Sequence, residues 1–148
     1  EGVLEVNAQQ VDRVVAKVEA AVGGSLDAAT VAVWGLTFKA NTDDLRESPS
    51  LAVIENLLER GAVIRAWDPT VEASRPPIPC EVVVCADPCV ACLDADAVVV
   101  LTEWPELEGI DAVKVAELVR RRTVVDARNI LDRDVWRRAG FDHQGIGR

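Results

Sequence analysis

The cationic side chains of this sequence that could do chemistry follow runs of apolar residues. Lys39 and Arg46 lie in the 12-residue stretch Thr37–Ser48 after the run Thr30–Leu36, and Arg128 follows Thr123–Asp126. Asp68 follows Val63–Trp67, and Thr102-Glu103-Trp104 follow Ala97–Leu101. A guanidinium fork and an ammonium both pair with phosphate, and an aromatic ring can cover a base or a sugar, so this set points to a nucleotide-like anionic ligand. The acids of the same stretch, Asp43, Asp44 and Glu47, have the composition of an acid/base pair. A more economical role for them is to hold the loop and Arg46 through ion pairs and helix capping, and no catalytic residue is assigned. Asp68 stands where a ribose-binding acid would, yet Asp68-Pro69 is also a strand-ending turn. Trp104, before Pro105, is a candidate wall for the ligand cleft, and the single histidine, His143, is not read as a general base.

Cys80, Cys85, Cys89 and Cys92 place four thiols within 13 residues, which invites a metal reading. Their spacing is not that of two C-x-x-C knuckles, and Cys85 ends an apolar run. The expectation is small buried side chains and no metal, with a disulfide disfavoured in a reducing cytoplasm.

The elements that must position these residues alternate. Val11, Val14, Val15, Val18, Ala21 and Val22 recur at helical spacing, giving an amphipathic helix over about residues 3–22 that Gly23-Gly24 ends. Its valine stripe is expected to be incompletely covered and so to form a homodimer seam. Thr30–Leu36 reads as a strand buried on both faces, and Ser48 and Pro49 as the cap and first residue of a helix closed by Gly61. Further strands are expected at Val63–Trp67, around 81–85, at Ala97–Leu101 and at Thr123–Asp126. Helices are expected from Asp87-Pro88 to about Leu93, from Asp111 through Arg121 and from Leu131 to Ala139. Strands alternating with helices imply an α/β, Rossmann-like parallel sheet with helices on both faces, preceded by one long amphipathic helix. In such a sheet ligands bind at the carboxyl ends of the strands, where the charged residues fall. The first strand-to-helix loop has no G-x-G-x-x-G turn, so an independent nicotinamide-binding domain is not expected.

The 148 residues suit one globular domain, and an apolar fraction of 49% with 28% charged residues is ordinary for one. A net charge of −9 disfavours nonspecific contact with nucleic acid or an anionic membrane, because a polyanion needs a basic footprint. The longest apolar run is interrupted by Asp96 and falls far short of the roughly 20 residues that span a bilayer. With no methionine and a first residue, Glu1, already inside the helical pattern, the chain reads as part of a longer protein.

The run Gly35-Leu36-Thr37-Phe38-Lys39-Ala40-Asn41-Thr42-Asp43-Asp44-Leu45-Arg46-Glu47-Ser48-Pro49 resembles the signature of one family's domain, the nucleotide-sugar-binding C-terminal domain of UDP-glucose and GDP-mannose 6-dehydrogenases. The resemblance continues through Trp67-Asp68-Pro69, Ala95-Asp96-Ala97, Thr102-Glu103-Trp104, Asp126-Ala127-Arg128-Asn129 and Gly145-Ile146-Gly147-Arg148. Glu5-Val6-Asn7 is similar to the end of the central helix that joins the two halves of these enzymes and forms their dimer core.

The resemblance implies a cytoplasmic oxidoreductase that oxidises C6 of a sugar nucleotide twice, reducing two NAD through a cysteine-bound intermediate. The Gly-Gly-x-Cys nucleophile motif and the NAD fingerprint occur nowhere in this sequence, so the chain by itself is expected to bind without catalysing. Carried over residue by residue, the resemblance puts Phe38 and Lys39 at the substrate, Arg128 at its nucleotide end, and Arg46 at NAD held by an N-terminal half. It divides the chain into residues 1–24, the end of the dimerisation helix, and 25–148, the UDP-sugar-binding domain. The alternative is a stand-alone, noncatalytic nucleotide-sugar-binding or regulatory module.

Overall fold

The computed structural model describes residues 2–37 and 39–146, and residues 2–8 as backbone only. Helix α1 (Gly2–Ala21) leads into β1 (Thr30–Trp34), α2 (Pro49–Glu59), β2 (Val63–Trp67), β3 (Val83–Val84) and α3 (Pro88–Ala91). The chain continues through β4 (Ala97–Val100), a 3₁₀ turn (Pro105–Gly109), α4 (Ala112–Leu118), β5 (Thr123–Asp126), α5 (Arg133–Arg138) and β6 (Asp142–Gly145). All strand pairs are parallel, in the order β3-β2-β1-β4-β5-β6. The α/β, Rossmann-like sheet read from the alternation is therefore the observed fold.

The central strands are apolar throughout because both faces are covered. In β1, Val31 and Val33 join a core built with α1 and α2, while Ala32 and Trp34 join a second core with residues of α3, α4 and α5. Helix starts follow side-chain chemistry. Ser48 accepts a hydrogen bond from the Ser50 amide with Pro49 in the first turn, and Asp87, Asp111 and Asp132 cap α3, α4 and α5 in the same manner.

Three expectations change. Helix α4 ends at Leu118, not Arg121, because the Arg120 and Arg121 amides donate to the Ala95 carbonyl (2.9 and 3.2 Å) instead of extending the helix. Helix α5 begins after Leu131, whose amide donates to Asp126 Oδ2 at 2.8 Å. The valine stripe of α1 is not a free seam: Val11, Val14, Val15 and Val18 are 8, 5, 2 and 0% exposed, packed within the first core beside α2 and the sheet. Strand β6 was not expected, since Asp142-His143-Gln144-Gly145 has neither β-branched residues nor apolar alternation; pairing with β5 at the sheet edge makes it a strand.

Candidate ligand-binding site

The strand order reverses between β1 and β4, which opens a crevice at their carboxyl ends. Two loops meet there. Gly35, directly after β1, has φ +104°, and a Cβ at this position would lie 2.4 Å from Thr102 Oγ1, so only glycine lets the loop pass against the end of β4. Thr102 Oγ1 in turn donates to the Thr37 carbonyl at 3.1 Å.

Asp68, 2% exposed at the end of β2, organises this region. Its Oδ2 accepts from the Leu36 amide (2.8 Å), the Thr37 amide (3.1 Å) and Trp104 Nε1 (3.0 Å), and its Oδ1 accepts from the Thr70 amide (2.9 Å) and hydroxyl (2.7 Å). Of the two readings of Asp68, the structure favours the turn: its carboxylate is occupied by protein donors. Trp104 is buried and turned toward Asp68, so it is part of the packing and not a wall of an open cleft. The spacing of these residues does not betray the cluster, because its members come from three different strand ends.

The same crevice holds two of the cations singled out in the sequence. Lys39 is exposed on the β1 loop. The next residue, Ala40, donates its amide to Glu103 Oε1 at 3.3 Å, and the other Glu103 oxygen pairs with the Arg128 guanidinium. One carboxylate after β4 thus brings the Lys39 loop and the Arg128 turn side by side. Arg128 is 44% exposed. Its turn is fixed from below by Asp126, which accepts from the Arg128 amide (3.2 Å) and the Leu131 amide (2.8 Å). His143 on β6 is fully buried with Nε2 3.6 Å from Asp126 Oδ2. Beyond Arg128 a cleft of about 360 Å³ runs between α1 and the start of α2, lined by Gln10, Ser50, Leu101, Arg128 and Asn129 among others. That volume lies within the range of small-molecule sites.

Arg46 stands apart. It borders a shallow, open groove with Thr42, Asp44, Arg75 and Pro76, and its guanidinium pairs with Asp44 through Nε (3.1 Å) and Nη2 (3.3 Å). The Arg46 amide also donates to Asp44 Oδ1 at 2.9 Å, and these hydrogen bonds, the side-chain pair foremost, hold the Asp44 carboxyl below the usual carboxylate value. Asp44 therefore does hold the loop and Arg46, as its position suggests. Phe38 lies outside the described residues, as do Gly147 and Arg148.

The thiols have separate environments. Cys85 and Cys92 are buried in the second core, Cys89 packs beside it and Cys80 is exposed. Burial pushes the Cys92 thiol well up from its ordinary value and raises the Cys89 thiol as well. Among the described residues no group of three or more His, Cys, Asp or Glu side chains is arranged to hold a metal ion, and no helix is long and apolar enough to cross a membrane.

A parallel six-stranded sheet with cations at the carboxyl ends around its switch point defines a Rossmann-like ligand-binding domain. Residues 32–133 match the UDP binding domain of the UDP-glucose/GDP-mannose dehydrogenase family, and the chain belongs to that family. It is 42% identical over 134 residues to UDP-glucose 6-dehydrogenase of Rhizobium meliloti (strain 1021), covering 89% of this chain and 30% of that protein. It is 36% identical over its whole length to UDP-glucose 6-dehydrogenase TuaD of Bacillus subtilis (strain 168), covering 32% of it. Among solved structures, a UDP-glucose dehydrogenase from the hyperthermophilic archaeon Pyrobaculum islandicum superposes with a TM-score of 0.73 at 34% identity, over 90% of this chain and 31% of that one. The chain thus spans about a third of the length of the relatives it matches.

Proposed function

We propose that this chain is the nucleotide-sugar-binding part of an NAD-dependent UDP-sugar 6-dehydrogenase. The observation that carries the reading is the meeting of the Lys39 loop and Arg128 on Glu103, at the sheet end where an α/β fold takes its ligand. Lys39 and Arg128 supply fixed positive charge toward the pyrophosphate and the nucleotide end of a UDP-sugar, and Phe38 belongs to the same substrate-facing stretch. Residues 25–148 form the substrate domain and residues 1–24 the end of a helix shared with the rest of the enzyme. A homodimer through that helix would use its outward face, including the exposed Asp12, Arg13 and Ala16, since the valines face inward.

NAD does not fit a site built by this chain alone. The amides of Leu36 and Thr37, which a dinucleotide turn would offer to a pyrophosphate, donate to Asp68 instead. Arg46 is the residue we assign toward NAD, with the dinucleotide held by an N-terminal half. In that arrangement the oxidising chemistry comes from NAD, and the part of this chain is to bind the substrate and orient it.

The test is a chemical-shift titration of the chain with UDP and UDP-glucose. Lys39→Ala and Arg128→Ala should each weaken binding by about 1.5–3 kcal/mol, the range for hydrogen bonds to charged groups, whereas Arg46→Ala should leave it nearly unchanged. UDP moving the amides of another surface, or Arg46→Ala costing as much as Lys39→Ala, contradicts the assignment.

A further inference from the structure

We propose that Glu103 is a positioning residue that couples the two substrate-facing loops, so that the Lys39 loop and Arg128 meet a bound anion as one unit. The inference rests on the substrate reading given above and deepens it. Glu103 lies three residues past the end of β4, in the crevice where the strand order reverses. One of its oxygens accepts the Ala40 amide at 3.3 Å and the other pairs with Arg128 Nη2. Its neighbours in sequence are anchored on either side, Thr102 to the Thr37 carbonyl and Trp104 to Asp68, so its backbone is fixed at the junction of three strand ends. The side chain as a whole is 32% exposed, at the rim rather than in the core, while the oxygen that faces Arg128 is itself buried from solvent.

The chemistry follows from the donor count. A guanidinium carries five N–H donors in a rigid fork, so an ion-pair contact at Nη2 alone holds the group beside Glu103 and leaves the remaining donors for a phosphate. The amide of Ala40 is held by the same carboxylate, which fixes the backbone that carries Lys39. Lys39 has a long flexible side chain, and fixing its backbone reduces the volume its ammonium searches. A neutral glutamine would keep an acceptor for either partner but lose the charge that pairs with Arg128. Alanine would lose both contacts.

These differences define the experiment, carried out on the 148-residue chain with UDP as the probe. Glu103→Ala should weaken UDP binding about tenfold and Glu103→Gln about threefold, with thermal unfolding midpoints close to that of the unsubstituted chain. In an Arg128→Ala background, Glu103→Ala should cost distinctly less than in the unsubstituted chain, because one of its two partners is already gone. A loss that merely reflected weakened folding would not be restored in part by glutamine, nor shrink when Arg128 is absent. UDP binding by Glu103→Ala equal to or tighter than that of the unsubstituted chain overturns the inference, the tighter result showing that Glu103 competes with the ligand for Arg128. Equal losses with and without Arg128 overturn it as well. Failure of the unsubstituted chain to bind UDP at the Lys39 and Arg128 amides removes the substrate reading and this inference with it, whereas ordinary binding insensitive to Glu103 removes the inference alone.

Discussion

At the scale of single residues, the demands on the site are steric and electrostatic, and each has a separate measurement. Gly35 combines a left-handed backbone with a contact that no side chain can share. Gly35→Ala should destabilise the chain by about 2–5 kcal/mol, from the cost of left-handed backbone at a residue with a Cβ together with overpacking against Thr102. Denaturant unfolding reads this directly, and a loss under 1 kcal/mol would mean that β4 yields easily. Asp44 and Arg46 make an exposed pair whose effect is seen in titration rather than in stability. Because the Asp44 carboxyl is held below its ordinary value, its contact with Arg46 should persist to lower pH than the charge of an unpaired aspartate would, and be lost as pH falls through the lowered midpoint. Carboxyl-carbon NMR should show the Asp44 midpoint moving up in Arg46→Ala; an unchanged midpoint would show the pair to be absent in solution. Sequence alone placed Lys39, Arg46 and Arg128 in loops, but it did not single out Glu103. The signal available was a charged residue two positions past the apolar run Ala97–Leu101, and an acid there reads as solvated until its two partners, 63 residues before it and 25 after, are known to lie beside it.

Elements were legible where the pattern and the caps agreed. Ser48-Pro49 fixed the start of α2, and the apolar runs gave β1, β2, β4 and β5, since a strand buried on both faces declares itself by composition. The ends of α4 and the start of α5 were not legible, because tertiary hydrogen bonds from Ala95 and Asp126 compete for the amides that local periodicity assigns to the helix. β6 left no local trace, being held by its neighbour rather than by its own side chains. The thiols of the segment between β3 and β4 report on how firmly α3 is seated. Cys92, the residue that caps the C-terminal end of α3, is fully buried with its thiol pushed up by burial, while Cys80 is exposed in the preceding linker. Iodoacetamide at mildly alkaline pH should therefore modify Cys80 first and leave Cys92 untouched until the chain unfolds, because the thiolate is the reactive form. Peptide mapping by mass spectrometry distinguishes them, and early modification of Cys92 would show that α3 opens readily from the sheet.

For the whole molecule the question is whether α1 is an appendage or part of the fold. Helical periodicity identified its apolar face, but periodicity cannot say what covers that face, and here the cover is the chain's own first core. Val11, Val14, Val15 and Val18 sit beside α2 and over β4 and β5, and the roughly 360 Å³ cleft bordered by Arg128 has α1 as one wall. Burial of a valine side chain stabilises by about 1.5–3 kcal/mol, so the four together supply on the order of 6–12 kcal/mol as an upper bound. A domain of this size is stable by only about 5–15 kcal/mol. Residues 25–148 alone should consequently unfold at a much lower temperature than the full chain, or remain molten with exposed apolar surface and binding of a hydrophobic dye. They should also bind UDP more weakly, because the wall opposite Arg128 is missing. Thermal unfolding and UDP titration of the two chains side by side make the comparison. If removal of residues 1–24 leaves the unfolding midpoint and the UDP affinity as they were, α1 serves association with another part of the protein and not the packing of this domain.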